Sequence, residues 1–270
     1  MTPAMDVSIV IVSFNARADL GRCLHALRET PPARSHEVLV VDNASSDGSA
    51  NAARQHPGVR VIETGENLGF ARGTNVGVRA SHGTNLLLLN SDTVVPAGAI
   101  DRLLEVFDAN PDVAVAGPRL VDASGRAELS FGRMVGPLNE LRQKRAAGID
   151  EVTRKERFPD WVSGACLLVR RTDAEAVGLL DERYFMYLED VDFCAAIRAR
   201  GRRVMFVPGV QVVHVRGQSA KAARTGTARA YRRSQLAFYA KHHPGWLPLL
   251  RLYLRLRGAD TSGKPDKAEG

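Results

Sequence analysis

The sequence predicts an α/β protein with a mostly parallel central sheet, helices on both faces of that sheet and a helical extension at the C-terminus. Short aliphatic runs rich in β-branched residues, such as VSIVIVS at 7–13, alternate along the chain with segments of helical spacing. These runs are continuously apolar, which is typical of strands buried on both faces. Strands that alternate with helices favour a parallel sheet with crossover helices. The 270 residues are enough for one such domain with a well-buried core.

The first half of the chain supplies most of this pattern. After the strand at 7–13, residues 17–29 show helical spacing that places Leu20, Leu24 and Leu27 on one side. Further strands are predicted at 37–41, 59–63, 86–89 and 113–116, and further helices near 48–56, 70–81 and 97–109.

The second half is less regular. Residues 132–158 are polar and mixed in charge, which predicts a flexible loop or a short helical excursion over the sheet. Residues 216–227 are small, polar and basic and predict a mobile loop. Between and after these segments we predict strands at 161–169, 204–207 and 210–215, and helices at 191–200, 228–242 and 245–257. The chain is thus expected to divide into an α/β domain at 1–227, a basic helical extension at 228–260 and a disordered tail at 261–270.

The net charge of +7 is a property of the C-terminal part. Between Asp192 and Asp260 there are 14 lysines and arginines and no acidic residue, and the remainder carries 23 basic and 30 acidic residues. Such a block commonly contacts phosphate on a lipid, a nucleotide or a nucleic acid, and a solvated surface is the alternative. No nucleic-acid recognition module is visible, so nucleic-acid binding is not expected.

The cysteines and the N-terminus indicate the cellular compartment in which the protein is located. Cys23, Cys166 and Cys194 lie far apart and without paired spacing, which argues against a disulfide framework or a zinc site and fits a reducing cytoplasm. The N-terminus lacks the basic flank and the cleavage site of a secretory signal, and no apolar run approaches the roughly 20 residues that span a bilayer. We therefore expect a soluble protein, or one attached to a membrane surface.

Polar residues follow three of the predicted strands. Asn15 follows the first strand, Asp42 ends the second, and Asn90, Ser91 and Asp92 end the fourth. Ligands of an open parallel sheet bind outside the carboxyl ends of its strands. The sequence therefore predicts a binding site at this edge of the sheet.

The turn that would bind a dinucleotide is absent from this edge. The first strand runs through Phe14 with no glycine until Gly21, whereas a GxGxxG turn needs glycines directly after the strand so that the backbone can approach a pyrophosphate. Gly69, Gly73 and Gly77 come later, at a spacing of four. A nicotinamide-dependent enzyme is not expected.

Two groups of residues could carry chemistry. Asp92 could hold a divalent cation that stabilises a diphosphate leaving group, or it could cap the helix that follows. Glu189, Asp190 and Asp192 begin a predicted helix, where they either benefit from its positive end or supply a general base for an acceptor hydroxyl. His214 ends the last strand and is either structural or a metal ligand.

Six stretches of the sequence carry a family resemblance. They are VSIVIVSFN at 7–15, VVDNASSDGS at 40–49, ENLGFARGTN at 66–75, LNSD at 89–92, FMYLEDVD at 185–192 and HVRGQS at 214–219. Each motif alone is weak, but together, in this order, they resemble family 2 glycosyltransferases of the GT-A fold, in particular bacterial rhamnosyltransferase-like members. The resemblance extends from residue 7 to about residue 245.

The resemblance implies a donor site. Ser13 and Asn15 would lie at the nucleotide, Asp42 would contact the base or the ribose, and Arg72 would lie near the phosphates. The other donor-binding residues that the family implies are Asn67, Phe70, Asn75, Asn90 and Ser91. The donor is expected to be a dTDP- or UDP-sugar, with rhamnose as the sugar of rhamnosyltransferase-like members.

The resemblance also implies the catalytic groups. Asp92 would be the metal-holding acid of the family's DxD motif, and His214 would be the other protein ligand or a diphosphate contact. Because the motif reads Asn90-Ser91-Asp92 here, its first acid is missing, and the choice between Mg and Mn stays open. Asp190 would be the base of an inverting, single-displacement transfer.

Residues around this base are implied to support it. Glu189 and Asp192 would be supporting residues, and Asp192 would orient the acceptor. Tyr184, Phe185 and Tyr187 could stack on a sugar, although core packing is the commoner role of aromatic side chains.

The family further implies a glycan or polyprenyl-linked acceptor, in the synthesis of cell-envelope polysaccharide or glycolipid at the inner face of the plasma membrane. The helix at 245–257 places Trp246, Leu249, Leu250 and Tyr253 on one side and arginines on the other, so we predict that it lies on a membrane surface, packs on the domain or joins a homodimer. Two other classes remain as alternatives, a nucleotidyltransferase and a non-catalytic subunit that binds sugar nucleotides. The first would need a glycine-rich basic loop after the first strand, and the intact acids argue against the second.

Overall fold

The computed structural model describes residues 5–136, 149–215 and 224–256, and of 224–227 only the backbone. The strands are β1 (Val7–Ser13), β2 (His36–Asp42), β3 (Val59–Glu63), β4 (Asn85–Asn90), β5 (Thr93–Val94), β6 (Val113–Val121), β7 (Phe131–Gly132), β8 (Trp161–Val162), β9 (Cys166–Arg170) and β10 (Arg203–His214). Eight of them form one sheet in the order β3-β2-β1-β4-β9-β6-β10-β5, while β7 pairs with β8. Four of the seven neighbouring pairs in this sheet are parallel. The predicted mostly parallel α/β architecture is confirmed.

Helices cover both faces of the sheet. They are α1 (Arg17–Glu29), α2 (Ser49–Arg54), α3 (Gly69–Ala80), α4 (Ala99–Ala109), α5 (Ile149–Val152), α6 (Arg171–Ala176), α7 (Glu189–Ala199), α8 (Arg224–His242) and α9 (Leu247–Leu256), with a 3₁₀ turn at Pro244–Trp246 between the last two. Ile9 and Ile11 of β1 pack in a core with α1 and α4. Val10 packs in a second core with α3 and α7. This two-sided burial is why the first strand is continuously apolar.

The described ranges contain no helix whose length and apolar character would let it cross a membrane.

Two strand predictions are wrong. The segment predicted as one strand at 161–169 is broken by Ser163, Gly164 and Ala165, because their backbone groups bond outside the sheet ladder. Ser163 N donates to Ser130 O at 2.8 Å, and Gly164 N donates to Asp190 Oδ2 at 2.9 Å.

The two strands predicted at 204–207 and 210–215 are a single strand, β10. Its register against β6 shifts between Val207 and Gln211. Pro208 lies in that interval and has no N–H to donate to the ladder, so the irregularity bends the strand without ending it.

Other predicted boundaries move by a few residues. The helix predicted at 191–200 begins two residues earlier, at Glu189, and α8 begins at Arg224, inside the segment predicted as a mobile loop. Part of the polar segment at 132–158 forms the short helix α5. Residues 137–148, 216–223 and 257–270 lie outside the described residues, and the predictions made for them stay predictions, as does the division of the chain into three parts.

Helix α9 has two apolar faces where one was predicted. Leu254 is 1% exposed, and Leu250 is partly buried against the cluster that includes α8. Leu250 therefore does not share the exposed side with Trp246 and Leu249, which are 48% and 57% exposed. The prediction of a single stripe is corrected because the helix uses one of its faces to pack on the protein.

Of the three glycines at a spacing of four, Gly73 and Gly77 form the face of α3 that lies on the sheet, and Gly69 faces Phe185. A Cβ on Gly77 would be 2.4 Å from Val10 Cγ1, and one on Gly73 would be 3.1 Å from Val12 Cγ1. At Gly69, where φ is +77°, a Cβ would be 2.3 Å from the carbonyl oxygen of Phe185. The absence of side chains lets α3 lie directly on β1 and places its N-terminus against the 185 segment.

We expect Gly77→Ala to lower the free energy of unfolding by about 1–3 kcal/mol, because the added methyl would overlap the buried Val10 side chain. Gly21→Ala is the matched control, since this helical glycine has nothing within 4 Å of an added Cβ. The control should leave stability unchanged or raise it by up to about 1 kcal/mol. Urea denaturation followed by circular dichroism measures both, and equal effects would contradict the close packing of α3.

Candidate active site

Buried polar atoms mark the carboxyl ends of β1 and β2. Ser13 and Asp42 are each 1% exposed and lie opposite one another in the parallel register. Ser13 Oγ and Asp42 Oδ1 have no hydrogen-bond partner within the described residues, while Asp42 Oδ2 accepts from Ser45 N at 2.9 Å. Leaving such groups unpaired is costly, so two of them side by side at this edge indicate a place where a polar ligand binds.

The loop after β2 is held against the end of β1. Asn15 has a left-handed backbone, with φ of 47°, and its Oδ1 accepts from Ser46 N at 2.8 Å. Asp47 accepts from Arg17 N at 2.8 Å and from Ser49 N at 3.0 Å. Because Arg17 and Ser49 are the first residues of α1 and α2, Asp47 caps both helices. Asn15 and Asp47 therefore set the shape of the edge at which Ser13 and Asp42 lie.

The N-terminus of α3 places Phe70 close to Gly164, beside Asp190. Asn67 Oδ1 accepts from Gly69 N at 3.0 Å and so caps the helix. Phe70 N donates to Phe185 O at 2.7 Å. A Cβ on Gly164 would be 3.5 Å from Phe70 Cε1 and 3.3 Å from Asp190 Cβ, so the ring and the carboxylate flank the same glycine.

Asn75 and Arg72 contact the 180–182 segment. The Asn75 amide donates to Leu180 O at 2.8 Å and to Glu182 Oε1 at 3.0 Å, and it accepts from Leu180 N at 3.1 Å. Arg72 Nε lies 3.7 Å from Glu182 Oε2. Both N–H donors of the buried amide are thus engaged, and the two side chains hold the 180–182 segment in place.

The turn between β4 and β5 brings Asp92 to His214. β5 pairs with β10 so that Thr93 lies opposite His214, and His214 Nε2 lies 3.3 Å from Asp92 Oδ1. On its other side, His214 Nδ1 lies 3.0 Å from Glu128 Oε2. Burial lowers the pKa of His214, but its hydrogen bonds to the two carboxylates outweigh this effect and raise that pKa to about 9.

Glu128 is a site residue that the sequence analysis missed. It follows β6 at a point where no motif marks it, so nothing in the local sequence distinguishes it from a surface acid. Within the ranges that the structure describes, no cluster of three or more His, Cys, Asp or Glu side chains is arranged to hold a metal ion by itself. Any cation at Asp92 and His214 would therefore need oxygen ligands from a bound molecule as well.

Asp190 is delivered by a strained turn. Tyr187 and Leu188 have left-handed backbones, with φ of 74° and 65°, and such residues cost on the order of 1–3 kcal/mol each. The turn begins α7 and aims Asp190 at the break between β8 and β9, where its Oδ2 accepts from Gly164 N at 2.9 Å. Since Asn90 N donates to the carbonyl of the next residue, Ala165, at 2.9 Å, the Asp92 turn and Asp190 meet at one edge.

The neighbouring acids Glu189 and Asp190 have different surroundings. Glu189 is 6% exposed, and its Oε2 has no hydrogen-bond partner in the described part of the chain. Burial and the charge of Asp190 raise the pKa of Glu189 well above its usual range. Burial also raises the pKa of Asp190, but the N–H groups of Gly164 and Val191 oppose this. The pKa of Asp190 nevertheless stays above its usual range.

Asp192 is bonded to the C-terminal helix. It is 2% exposed, and it accepts from Lys241 Nζ at 2.8 Å and from the Tyr184 hydroxyl at 3.3 Å. His242 Nε2 lies 2.6 Å from Oδ1 of Asp192. In the structure both of its oxygens anchor α8 and Tyr184, and the expectation that Asp192 orients an acceptor stays a prediction.

Further contacts of α8 support the strained turn. Ser234 Oγ donates to Met186 O at 2.7 Å, directly before the left-handed residues. Phe238 and Tyr239 are buried in one cluster with Leu188 and Tyr184. Tyr184 is therefore a core residue, and the sequence analysis did not foresee that the C-terminal extension braces the acidic turn.

Comparison with protein families gives one match over most of the domain. Residues 8–175 match the family model described as Glycosyl transferase family 2. This range includes the strand-end residues and Asp92.

Two relatives of known name resemble the chain over most of its length. N-acetylglucosaminyl-diphospho-decaprenol L-rhamnosyltransferase of Mycobacterium tuberculosis is 31% identical over 268 residues, which is 88% of this chain and 85% of that protein. Rhamnosyltransferase WbbL of Escherichia coli is 30% identical over 221 residues, with 77% and 83% of the two chains covered. The predicted similarity to bacterial rhamnosyltransferases is confirmed.

The fold also matches solved structures. Mannosyltransferase PcManGT from Pyrobaculum calidifontis, in complex with GDP-Man and Mn²⁺, superposes with a TM-score of 0.63 at 20% identity. The match covers 94% of this chain and 70% of that one. This likeness confirms the GT-A fold.

We expect Asp192→Ala to lower the free energy of unfolding by about 1–3 kcal/mol, because it removes a buried carboxylate that accepts hydrogen bonds from Lys241 and Tyr184 and contacts His242. Lys241 would keep its ion pair with Asp181. Asp108→Ala removes an exposed ion pair with Arg34 and should cost less than about 1 kcal/mol. Thermal and urea denaturation give both values. An equally small effect at the two positions would show that Asp192 does not anchor α8.

Proposed function

Because the chain belongs to glycosyltransferase family 2, we propose that it transfers a sugar from a nucleotide-diphosphate donor to an acceptor hydroxyl with inversion at the anomeric carbon. The observation that carries this proposal is the convergence at one sheet edge of Asp92 and His214, 3.3 Å apart, with Asp190 on the adjoining segment. A donor diphosphate, an acceptor alcohol and a base need this proximity, because transfer requires all three together.

The nucleoside of the donor would bind at Ser13 and Asp42. Their unpaired oxygens can accept N–H or O–H donors from a base or a ribose. We propose a dTDP- or UDP-sugar, because thymine and uracil each present an imide N–H that suits a carboxylate acceptor. Asn15, Asn67 and Phe70 would shape the pocket around the nucleoside. The backbone turn at Asn90 and Ser91 would form another part of this pocket. The contacts of Asn75 and Arg72 support the neighbouring 180–182 segment, so we propose an indirect role for these two.

Asp92 and His214 fit a divalent cation, Mg²⁺ or Mn²⁺. One carboxylate oxygen and one imidazole nitrogen 3.3 Å apart can both reach a single ion, and Glu128 would orient the imidazole through its Nδ1. Asn90 replaces the first acid of the usual motif, so the protein supplies few ligands and the donor diphosphate would supply others. When bound, such an ion neutralises the charge that develops on the leaving diphosphate.

Asp190 is the proposed general base. Its carboxylate would accept the proton of the acceptor hydroxyl while that oxygen bonds to the anomeric carbon and the nucleoside diphosphate leaves from the opposite face. The hydrogen bond from Gly164 fixes the direction of the carboxylate. Burial raises the pKa of Glu189, which favours its neutral form and would lessen the negative charge beside Asp190.

The acceptor side of the proposal rests on the relatives. The names of the two relatives above specify rhamnosyl transfer, and one of them specifies a diphospho-decaprenol-linked acceptor. We propose rhamnose as the sugar, a glycan or polyprenyl-linked acceptor, and a role in cell-envelope polysaccharide or glycolipid synthesis. The protein would act in the cytoplasm, at the inner face of the plasma membrane.

We expect Asp190→Asn to lower the transfer rate at least about 100-fold, because the amide cannot accept the acceptor proton. Binding of the donor nucleotide, measured by calorimetry, should persist. Glu189→Gln is the matched variant: it imitates the neutral acid and should keep transfer within about tenfold. Unchanged turnover in Asp190→Asn would remove Asp190 as the base. Donor binding by the native chain with no transfer to any acceptor would instead favour a non-catalytic subunit.

We expect UDP or dTDP to stabilise the protein against heat only with Mg²⁺ or Mn²⁺ present. A ligand at about 100 times its dissociation constant adds about 2.7 kcal/mol of stability, which corresponds to several degrees in melting temperature. EDTA or Asp92→Asn should remove most of this shift. Asp112→Asn, which alters an exposed pair with Arg203, should not. A full shift in EDTA would contradict the cation site.

A further inference from the structure

The final described helix, α9, has an exposed apolar face. Leu249, Leu252 and Leu256 are exposed by 57%, 55% and 79%, and Trp246 of the preceding 3₁₀ turn is 48% exposed. At 100° per residue the three leucines fall within an arc of about 60° that extends along the helix for about two turns. The face opposite is the one that packs on the protein, where Leu254 is 1% exposed. We call the exposed set the α9 stripe.

The α9 stripe is unusual for a surface. Single exposed leucines are ordinary, but a contiguous apolar patch of this kind marks an interaction site in most soluble proteins. Tryptophan at one end adds a side chain that favours the boundary between water and hydrocarbon. Packing on α8 cannot explain the stripe, because other leucines already make that contact.

The charge beside the stripe indicates its partner. Arg251 and Arg255 are exposed on α9. At 100° per residue Arg255 lies about 60° around the helix from Leu252 and borders the stripe, and Arg251 lies about 40° further round. The sequence from 193 to 259 contains no acidic residue, so neither α8 nor α9 carries a negative charge. A helix with an exposed apolar face, an arginine at the border of that face, a second arginine further round and no acid is complementary to a surface that is both apolar and anionic.

A second copy of the chain is a poor fit to the same face. A two-fold interface places identical patches against each other. Both copies would then bring Arg255 to the border of the same contact, and α8 and α9 have no carboxylate to pair with it. Like charges brought together across an interface disfavour association.

We propose that α9 docks on the surface of an anionic lipid bilayer, with its stripe at the acyl boundary and its arginines at the lipid phosphates. The inference goes beyond the proposed function, because docking requires neither donor nor transfer. The helix is joined through α8 to Asp192 by Lys241 and His242. If the proposed function is correct, docking would hold the acidic turn at a fixed orientation over the membrane that presents a lipid-linked acceptor.

Sedimentation of the full chain with vesicles tests the proposal. The chain should bind vesicles of equimolar phosphatidylcholine and phosphatidylglycerol, and it should bind pure phosphatidylcholine vesicles much less. The triple variant Leu249→Ser, Leu252→Ser, Leu256→Ser should lower anionic binding at least about tenfold, because it removes the buried apolar area. Ile149→Ser, at a residue 40% exposed elsewhere on the protein, is its control and should bind as the native chain does.

The charge of the helix is tested separately. Arg251→Gln with Arg255→Gln should weaken anionic binding by on the order of tenfold, and raised salt should weaken native binding in the same direction. Arg22→Gln with Arg54→Gln removes two exposed arginines from α1 and α2 and should have little effect. Circular dichroism melts should match for all variants, since only exposed side chains change.

Three results would overturn the proposal. They are absence of native binding to anionic vesicles, full binding by the triple variant, and a concentration-dependent dimer that the triple variant abolishes. An assay of sugar transfer to a water-soluble acceptor distinguishes the docking proposal from the transferase proposal. Native chain that binds vesicles but transfers no sugar would refute the transferase proposal and leave docking supported.

Discussion

The hydrogen bond from Gly164 N to Asp190 Oδ2 is the constraint on which the candidate site depends. It joins the start of α7 to the break between β8 and β9, and the same break bonds to Asn90 at the end of β4. Two acidic regions about 100 residues apart in the chain thereby share one sheet edge. A Cβ at position 164 would lie 3.3 Å from Asp190 Cβ, so glycine lets Asp190 approach this backbone without displacement. The interrupted strand is therefore what assembles the site.

Holding Asp190 there requires two consecutive left-handed residues, Tyr187 and Leu188, and neither is glycine. Strain of this kind persists where surrounding contacts leave no alternative. Helix α8 supplies those contacts through Ser234, Asp192 and a buried aromatic cluster. The extension that looks separable in the sequence is thus part of the support of the acidic turn. Helix α8 also connects α9, which is proposed to dock on a bilayer, to the turn that carries Asp190.

The site also concentrates polar groups whose burial is unfavourable without a ligand. Ser13 and Asp42 have unpaired buried oxygens, and His214 lies between two carboxylates. Glu189 is buried without a partner for one of its oxygens. Structures that tolerate such groups in one place commonly use them for binding or catalysis. The protein therefore keeps a region of low local stability on a sheet that is otherwise tightly packed.

The sequence by itself determined most of the longer strands, most of the helices and the family, because apolar periodicity and short motifs are local properties of the chain. It also singled out Asp92, Asp190 and His214 as candidate site residues. It could not assign Asp192 to α8, give Asn75 its contact with Leu180 or reveal Glu128. Those contacts join residues from 49 to 105 positions apart, and no local pattern encodes which distant segments meet. Only the tertiary structure decided them, because sheet order and the path of α8 bring these segments together.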